Sequence, residues 1–177
     1  MDRNLGASQV ATSSTDAASY GDLYQWGRGT DGHQVRTSAT TAPLFDTGDP
    51  ANGNFITSSG DWRSSPNVNL WQGVNGVNNP CPTGFRIPTD VEWDAERLSW
   101  GSSSQNAAGA FASPLKLPVA GYRYSGDGLL KSVGASGRYW SSTVSSKLAS
   151  SLYFSSSSAS MNNLNRAYGL SVRCLKD

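Results

Sequence analysis

Apolar and polar positions follow a regular pattern in only a few stretches of this chain, most of them in its second half. From Leu152 the sequence alternates. Leu152 and Phe154 point one way, while Tyr153, Ser155 and Ser157 point the other, as in a strand with one buried face. Leu170, Val172 and Cys174 alternate with Ser171 and Arg173, which predicts a last strand with the first set facing in and the second facing out. Leu115, Leu117 and Val119 share a face in the same way, and Pro118 between them marks an edge or a bulge. Gly121-Tyr122-Arg123-Tyr124 follows, closed by the turn Ser125-Gly126-Asp127-Gly128.

One helix is clear, near 89–100. In Thr89-Asp90-Val91-Glu92 the Thr89 hydroxyl can accept from the Glu92 amide, and the Glu92 carboxylate can return to the Thr89 amide. Asp90 and Glu92 suit the positive end of the helix dipole. Pro88 and Trp93 are spaced as a hydrophobic staple, Val91, Ala95 and Leu98 share a face, and Gly101 stops the helix.

The first half patterns poorly. Met1 to Leu5 reads as a short possible strand, and Leu23-Tyr24-Gln25-Trp26 fits helix or strand equally. From Gly27 to Pro82 the chain is rich in Gly, Asn, Asp, Ser and Pro, with isolated rings at Phe45, Phe55, Trp62 and Trp71. Each ring can bury a large area, so the segment reads as long loops pinned to the body. The sum is an α+β fold with a mostly antiparallel sheet near the C-terminus and long irregular loops.

Composition sharpens this. Six Trp, seven Tyr and five Phe offset a charged fraction of only 15%, which points to a packed, loop-rich single domain over 1–177 and away from disorder. A net charge of +1 and the lack of a basic run leave no electrostatic footprint for nucleic acid. No apolar window is long enough to span a bilayer, and the N-terminal residues hold no apolar signal core. Two cysteines are present, Cys81 and Cys174. Either they pair and close a loop of roughly ninety residues, stabilising by roughly 4 to 5 kcal/mol on the chain-entropy model, or they are two buried thiols that act as small hydrophobes.

Candidate chemistry is sparse. His33, the single histidine, sits in Gly32-His33-Gln34 and reads as a loop residue, so neither a Ser-His-Asp triad nor a multi-histidine metal site has support. Glu92 is explained by the capping box and Asp61 by a turn, so neither suggests paired catalytic carboxylates. No catalytic residue, metal or cofactor is expected. From Ser145 to Asn165, by contrast, the chain is dominated by Ser, Asn and small residues, between the well-patterned Arg138-Tyr139-Trp140 and Gly169 to Leu175. Side chains of this kind, with an occasional Tyr, make an adaptable binding surface: Tyr supplies rigid contact area, while Ser and Asn supply hydrogen bonds.

Several blocks resemble the Fibrobacter succinogenes major paralogous domain family. They are Met1-Asp2-Arg3-Asn4-Leu5-Gly6, Tyr20 to Arg28, Asp61-Trp62-Arg63, Asn79 to Trp93, Gly121-Tyr122-Arg123, Tyr139-Trp140-Ser141-Ser142 and Tyr168 to Cys174. They run in order across essentially the whole chain. The resemblance implies a C-type-lectin-like fold. Some members are the variable proteins of diversity-generating retroelements in phages and bacteria, whose C-terminal segment is rewritten by adenine-directed mutagenesis. It therefore implies a variable region at about 137–177 and ligand contacts at Ser145, Ser146, Ser150, Ser151, Tyr153, Ser155, Ser156, Ser157, Asn162, Asn163 and Asn165. The partner it implies is a protein or glycan on a target cell surface, met by a phage particle or an extracellular-facing bacterial protein. The calcium-binding triplets of sugar-binding C-type lectins (Glu-Pro-Asn, Gln-Pro-Asp and Trp-Asn-Asp) do not occur in this sequence. The alternative is a fixed-sequence structural or adhesive module of a bacterial surface protein.

Overall fold

The computed structural model describes residues 1–46, 50 and 52–177. Its elements follow in chain order. A 3-10 turn at Ala17–Ser19 precedes β1 (Tyr24–Gln25), β2 (Thr40–Thr41), β3 (Phe55–Ile56) and β4 (Phe85–Arg86). Helices α1 (Asp90–Ser99) and α2 (Ala107–Ala112) come next, then β5 (Tyr122–Arg123) and β6 (Leu130–Lys131). Three longer strands, β7 (Gly137–Ser145), β8 (Leu148–Phe154) and β9 (Ala159–Asn165), precede the short β10 (Gly169–Leu170) and β11 (Leu175–Lys176).

Strands β7, β8 and β9 form a sheet in that order, joined by two hairpins. A second sheet runs β1-β10-β5-β6, and β4 pairs with β11. Ladder pairing is antiparallel except between β2 and β3. Isolated parallel bridges, Gly121 to Gly137 and Tyr139 to Ser171, join the β7 edge to the second sheet.

The core lies on both sides of the β7-β8-β9 sheet. On one side Trp93 of α1 and Trp100, the residue after that helix, pack with Tyr139, Leu152 and Phe154. On the other, Trp26, Trp62, Trp71 and Trp140 pack with Ala149, Leu170 and Val172. Gly137 pairs with Phe154 across β7 and β8, and a Cβ there would sit 2.1 Å from the Phe154 ring. The aromatic thus occupies the space a side chain would need.

With so little ladder, the loops need other partners for their buried carbonyls, since an unpaired buried backbone group is costly. Indoles supply them. Trp26 donates to the Ser141 carbonyl at 2.9 Å, Trp62 to Trp26 at 2.7 Å, Trp71 to Asn78 at 3.0 Å, Trp93 to Trp140 at 3.0 Å and Trp140 to Tyr24 at 2.7 Å. Buried arginines do the same. Arg123 donates to the Gly128 carbonyl at 2.6 Å and to the Ser38 carbonyl, and Arg173 donates to the Leu115 carbonyl at 2.6 Å and to Asn4 Oδ1 at 2.9 Å. Cys81 and Cys174 are joined as a disulfide, which ties the long loops to the C-terminal segment.

The helix prediction holds in its ends and is corrected in its face. Thr89 caps α1 with the reciprocal Glu92 bond in place, and Gly101 at φ 82° follows the C-cap Trp100. Yet Val91 is 74% and Leu98 54% exposed, and Ala95 is exposed too. The buried face is set by Trp93 and Trp100, seven residues apart, because two indoles bury more area than three small aliphatic groups. A second helix, α2, forms in the Ser-, Ala- and Gly-rich stretch after Gly101, with Asn106 accepting from the Ala108 and Gly109 amides.

Three strand expectations also change. Met1 to Leu5 forms no strand, although the Met1 ammonium donates to the Cys174 carbonyl and the Leu5 amide to the Val172 carbonyl. Leu115 to Val119 forms none either. Lys116 sits at φ 50°, so the Leu117 amide turns to Ala110 and the Val119 amide to Ser14. Toward the C-terminus the expected strand is broken into β10 and β11; Leu170, Val172 and Cys174 are buried as expected, but so are Ser171, which bridges Tyr139, and Arg173, over which Asn4 and Leu115 close.

Candidate functional site

A β-bulge in β7, between Trp140 and Val144, brings the start of α1 onto the long sheet. Thr143 Oγ1 accepts from the Asp90 amide and donates to Asp90 Oδ1, each at 3.0 Å, while the Ser142 amide donates to the Pro88 carbonyl at 2.8 Å. A groove of about 270 Å³ opens beside this contact, lined by Asp90, Thr143, Val144, Ser145, Ser150, Met161, Asn162 and Asn163. A second hollow of about 300 Å³ adjoins it through Asp90 and Met161 and extends along α1 to Val91 and Asp94. Its floor is rigid. Ser150 pairs with Asn163 and Leu152 with Met161 in the β8–β9 ladder, and Leu152 is fully buried against the Trp93 and Trp100 indoles.

Four of the expected contact residues, Ser145, Ser150, Asn162 and Asn163, meet in this groove. The others scatter. Ser146 forms the β7–β8 turn at φ 55°, and its carbonyl accepts from buried Arg166 at 3.0 Å. Ser155, Ser156 and Ser157 lie in the turn at the opposite end of β8. There the Ser155 carbonyl accepts from Ala107 of α2 at 2.7 Å, and Ser156 and Ser157 are exposed. Tyr153 points to the sheet face away from α1, under the guanidinium of Arg138. Asn165 donates to the Ser59 carbonyl at 2.7 Å and serves as a loop anchor.

Two expected contacts are corrected. Ser151 is fully buried and donates to the Asn162 carbonyl at 3.2 Å, so it does not face outward. Ser150 is 4% exposed and offers only an edge to the groove. Asp90, Thr143 and Met161 belong to the groove but fall outside the expected set. In the sequence Asp90 looks fully explained by the helix start, and nothing signals the bulge that brings Thr143 to it.

His33 lies in a turn, as its neighbours in the sequence indicate. It is fully buried and sits edge-on to Tyr24, with ring centroids 5.8 Å apart. Its Nε2 accepts from the Gln25 amide at 3.1 Å, and its Nδ1 meets Asp31, which also pairs with Arg28. A backbone N–H can only donate, so Nε2 must keep its lone pair and the ring is neutral with its proton on Nδ1. Burial pushes the imidazole down to about 4, against the pull of Asp31. Burial opposes the Asp31 charge, but the bonds from His33 and the Arg28 charge hold its carboxyl well below the usual range. This network ties loops together and does not reach the groove.

What the groove offers chemically is hydrogen bonding from Ser, Thr, Asn and Asp, beside the apolar surface of Val144 and Met161. Among the described residues no three His, Cys, Asp or Glu side chains gather as a metal-holding group, and no helix is long and apolar enough to cross a membrane.

Residues 100–175 match a family described as a domain of unknown function (DUF8237), a span that holds α2 and the whole β7-β8-β9 sheet. No curated protein and no solved structure matches the chain.

Proposed function

We propose that this chain is a ligand-binding protein, without enzymatic activity, that recognises a protein or glycan on a target cell surface. In this reading it has a C-type-lectin-like scaffold of the kind used by retroelement-diversified variable proteins, and it works on a phage particle or an outward-facing bacterial surface. The observation that carries it is the groove: Ser145, Asn162 and Asn163 line an open, polar surface whose underside is buried core. Such a surface can change its side chains while the frame below stays fixed, because substitutions at exposed positions usually move stability by less than about 0.5 kcal/mol. The disulfide suits an oxidising compartment.

Two measurements test the reading. In the gene, codons that adenine change can reach from Asn should cluster at the expected contact positions, beside a near-repeat and a reverse transcriptase gene; mixed codons with no repeat sink the diversification. On an array of cell-surface proteins and glycans, the wild type should bind a discrete set, and Asn162→Ala with Asn163→Ala should lose it at unchanged melting temperature. Binding that survives these changes removes the groove from the site.

A further inference from the structure

On the sheet face away from α1, four tyrosines gather around one arginine. The guanidinium carbon of Arg138 lies 4.7 Å from the ring centroids of both Tyr122 and Tyr153. Tyr122 and Tyr168 follow at 5.9 Å between centroids, and Tyr124 stands edge-on to Tyr168 at 5.5 Å. The topology builds this cluster. Arg138 and Tyr153 are register partners in β7 and β8, and the Gly121–Gly137 bridge sets Tyr122 of β5 beside Arg138. Tyr124 is 39% exposed and the other four side chains are half-buried, so the cluster opens to solvent.

Arg138 differs from the buried arginines. Arg123 ends on carbonyl oxygens and the Ser38 hydroxyl, Arg173 on carbonyl and amide oxygens, and Arg166 on Asp61 and the Ser146 carbonyl. Among the described residues Arg138 makes no ion pair and no side-chain hydrogen bond, and its Nε is buried without an acceptor. A guanidinium between rings has its planes occupied, so its free capacity lies along the N–H edge. The Nε of Arg166 is unpaired too, but the Nη groups of Arg138 are both unbonded and open to solvent, so they are the donors that an acceptor brought from outside would meet. The acceptor that matches the fork is a flat, two-oxygen carboxylate.

The neighbouring rings narrow the ligand. Tyr124 and Tyr168 give a broad aromatic edge and face with hydroxyls at the rim. A pyranose ring has the complementary form, an apolar C–H face bordered by hydroxyls. An acidic peptide side chain would engage Arg138 and leave the tyrosines unused. We propose that Arg138, with Tyr122, Tyr124, Tyr153 and Tyr168, binds a carboxylate-bearing sugar, a uronic or sialic acid unit of a glycan. This site is separate from the groove and stands without it.

Calorimetric titration of the whole chain tests the proposal with trigalacturonate, its methyl ester, 3′-sialyllactose, lactose and triglutamate. At least one acidic sugar should bind, and its neutral counterpart should bind about tenfold or more weakly, the cost of a lost charged hydrogen bond. The stronger of trigalacturonate and sialyllactose tells uronic from sialic acid. Arg138→Gln should lose about tenfold, Arg138→Lys should recover only part of it, and Val77→Ala, at an exposed side chain outside both the cluster and the groove, should change nothing. If Arg138→Gln lowers the melting temperature, Tyr124→Ala at an exposed ring supplies the weakened variant. The proposal is overturned if acid and neutral forms bind alike, if none binds, if triglutamate binds as well as the sugars, or if folded Arg138 and Tyr124 variants bind as the wild type does.

Discussion

The indole N–H of Trp93 donates to the main-chain carbonyl of Trp140, 3.0 Å away, and the Trp140 indole donates in turn to Tyr24 at 2.7 Å. Helix α1, the central sheet and β1 are thus linked through two side chains. Trp140→Phe keeps most of the ring and removes the indole donor from the Tyr24 carbonyl, which keeps its ladder position opposite Leu170. It should destabilise by about 0.5–1.5 kcal/mol, a drop of roughly 2–4 °C in melting temperature for each kcal/mol at this chain length. Trp140→Ala adds a cavity and should cost about 3–5 kcal/mol. Calorimetry on the two variants checks the order; a Phe variant as stable as wild type would remove the hydrogen bond from the account.

Reduction of the Cys81–Cys174 disulfide frees a loop closed across 93 residues of sequence. On the chain-entropy model it should cost roughly 4–5 kcal/mol. Urea unfolding of the Cys81→Ser, Cys174→Ser double variant, compared with the oxidised wild type, should show this loss with a steeper slope, because the unfolded chain without the bond exposes more surface. Equal midpoints would mean that the loops are held without the bond.

Glu92 is held down to about 2, first by the hydrogen bonds from Arg86, at 2.8 and 2.6 Å, and then by the Thr89 amide, against a smaller cost of burial. A depressed carboxylate contributes stability that is complete above its unfolded value, about 4.3, and is lost as pH falls toward 2. Because the pair is partly exposed, solvent screens it and the effect is modest. The stability difference between wild type and Glu92→Gln should shrink on going from neutral pH to pH 2. A difference constant across that range would contradict the role of the charge.

His33 gives a second window. Its folded value, near 4, lies below the ordinary value of about 6.5, so the contribution of the neutral ring is complete above about 6.5 and fades as pH falls toward 4. As the chain has a single histidine, its ring resonances can be followed without ambiguity. They should stay fixed from neutral pH down to about 5 and move only near 4. A midpoint near about 6.5 would mean that the Gln25 amide does not hold Nε2.

Much of the second half was legible because its signals are local. Thr89 and Glu92 are three residues apart and cap α1 as the pattern demands, and Leu152 and Phe154 face the core as their alternation requires. The errors arise where a distant partner decides. Val91 and Leu98 form an apolar stripe that faces solvent, because Trp93 and Trp100 claim the sheet. Arg173 looks like an outward residue until Asn4, far away in sequence, closes over it. Ser151 sits in a serine-rich run as an ordinary surface residue would, yet its strand position turns it into the core. Polarity there marked the segment, not the face. Arg138, Tyr122 and Tyr153 come from three strands and Tyr124 and Tyr168 from the loops beside β5 and β10, and no spacing in the sequence brings them together.

The most direct test of a fixed frame beneath an exchangeable surface is a library randomised at Ser145, Ser146, Ser156, Ser157 and Asn163, the exposed members of the expected contact set. Melting temperature and array binding would be read for each variant. Most variants should melt within about 4 °C of the wild type, and their bound targets should differ from one another. Widespread unfolding, or the same targets bound by every folded variant, would contradict the claim.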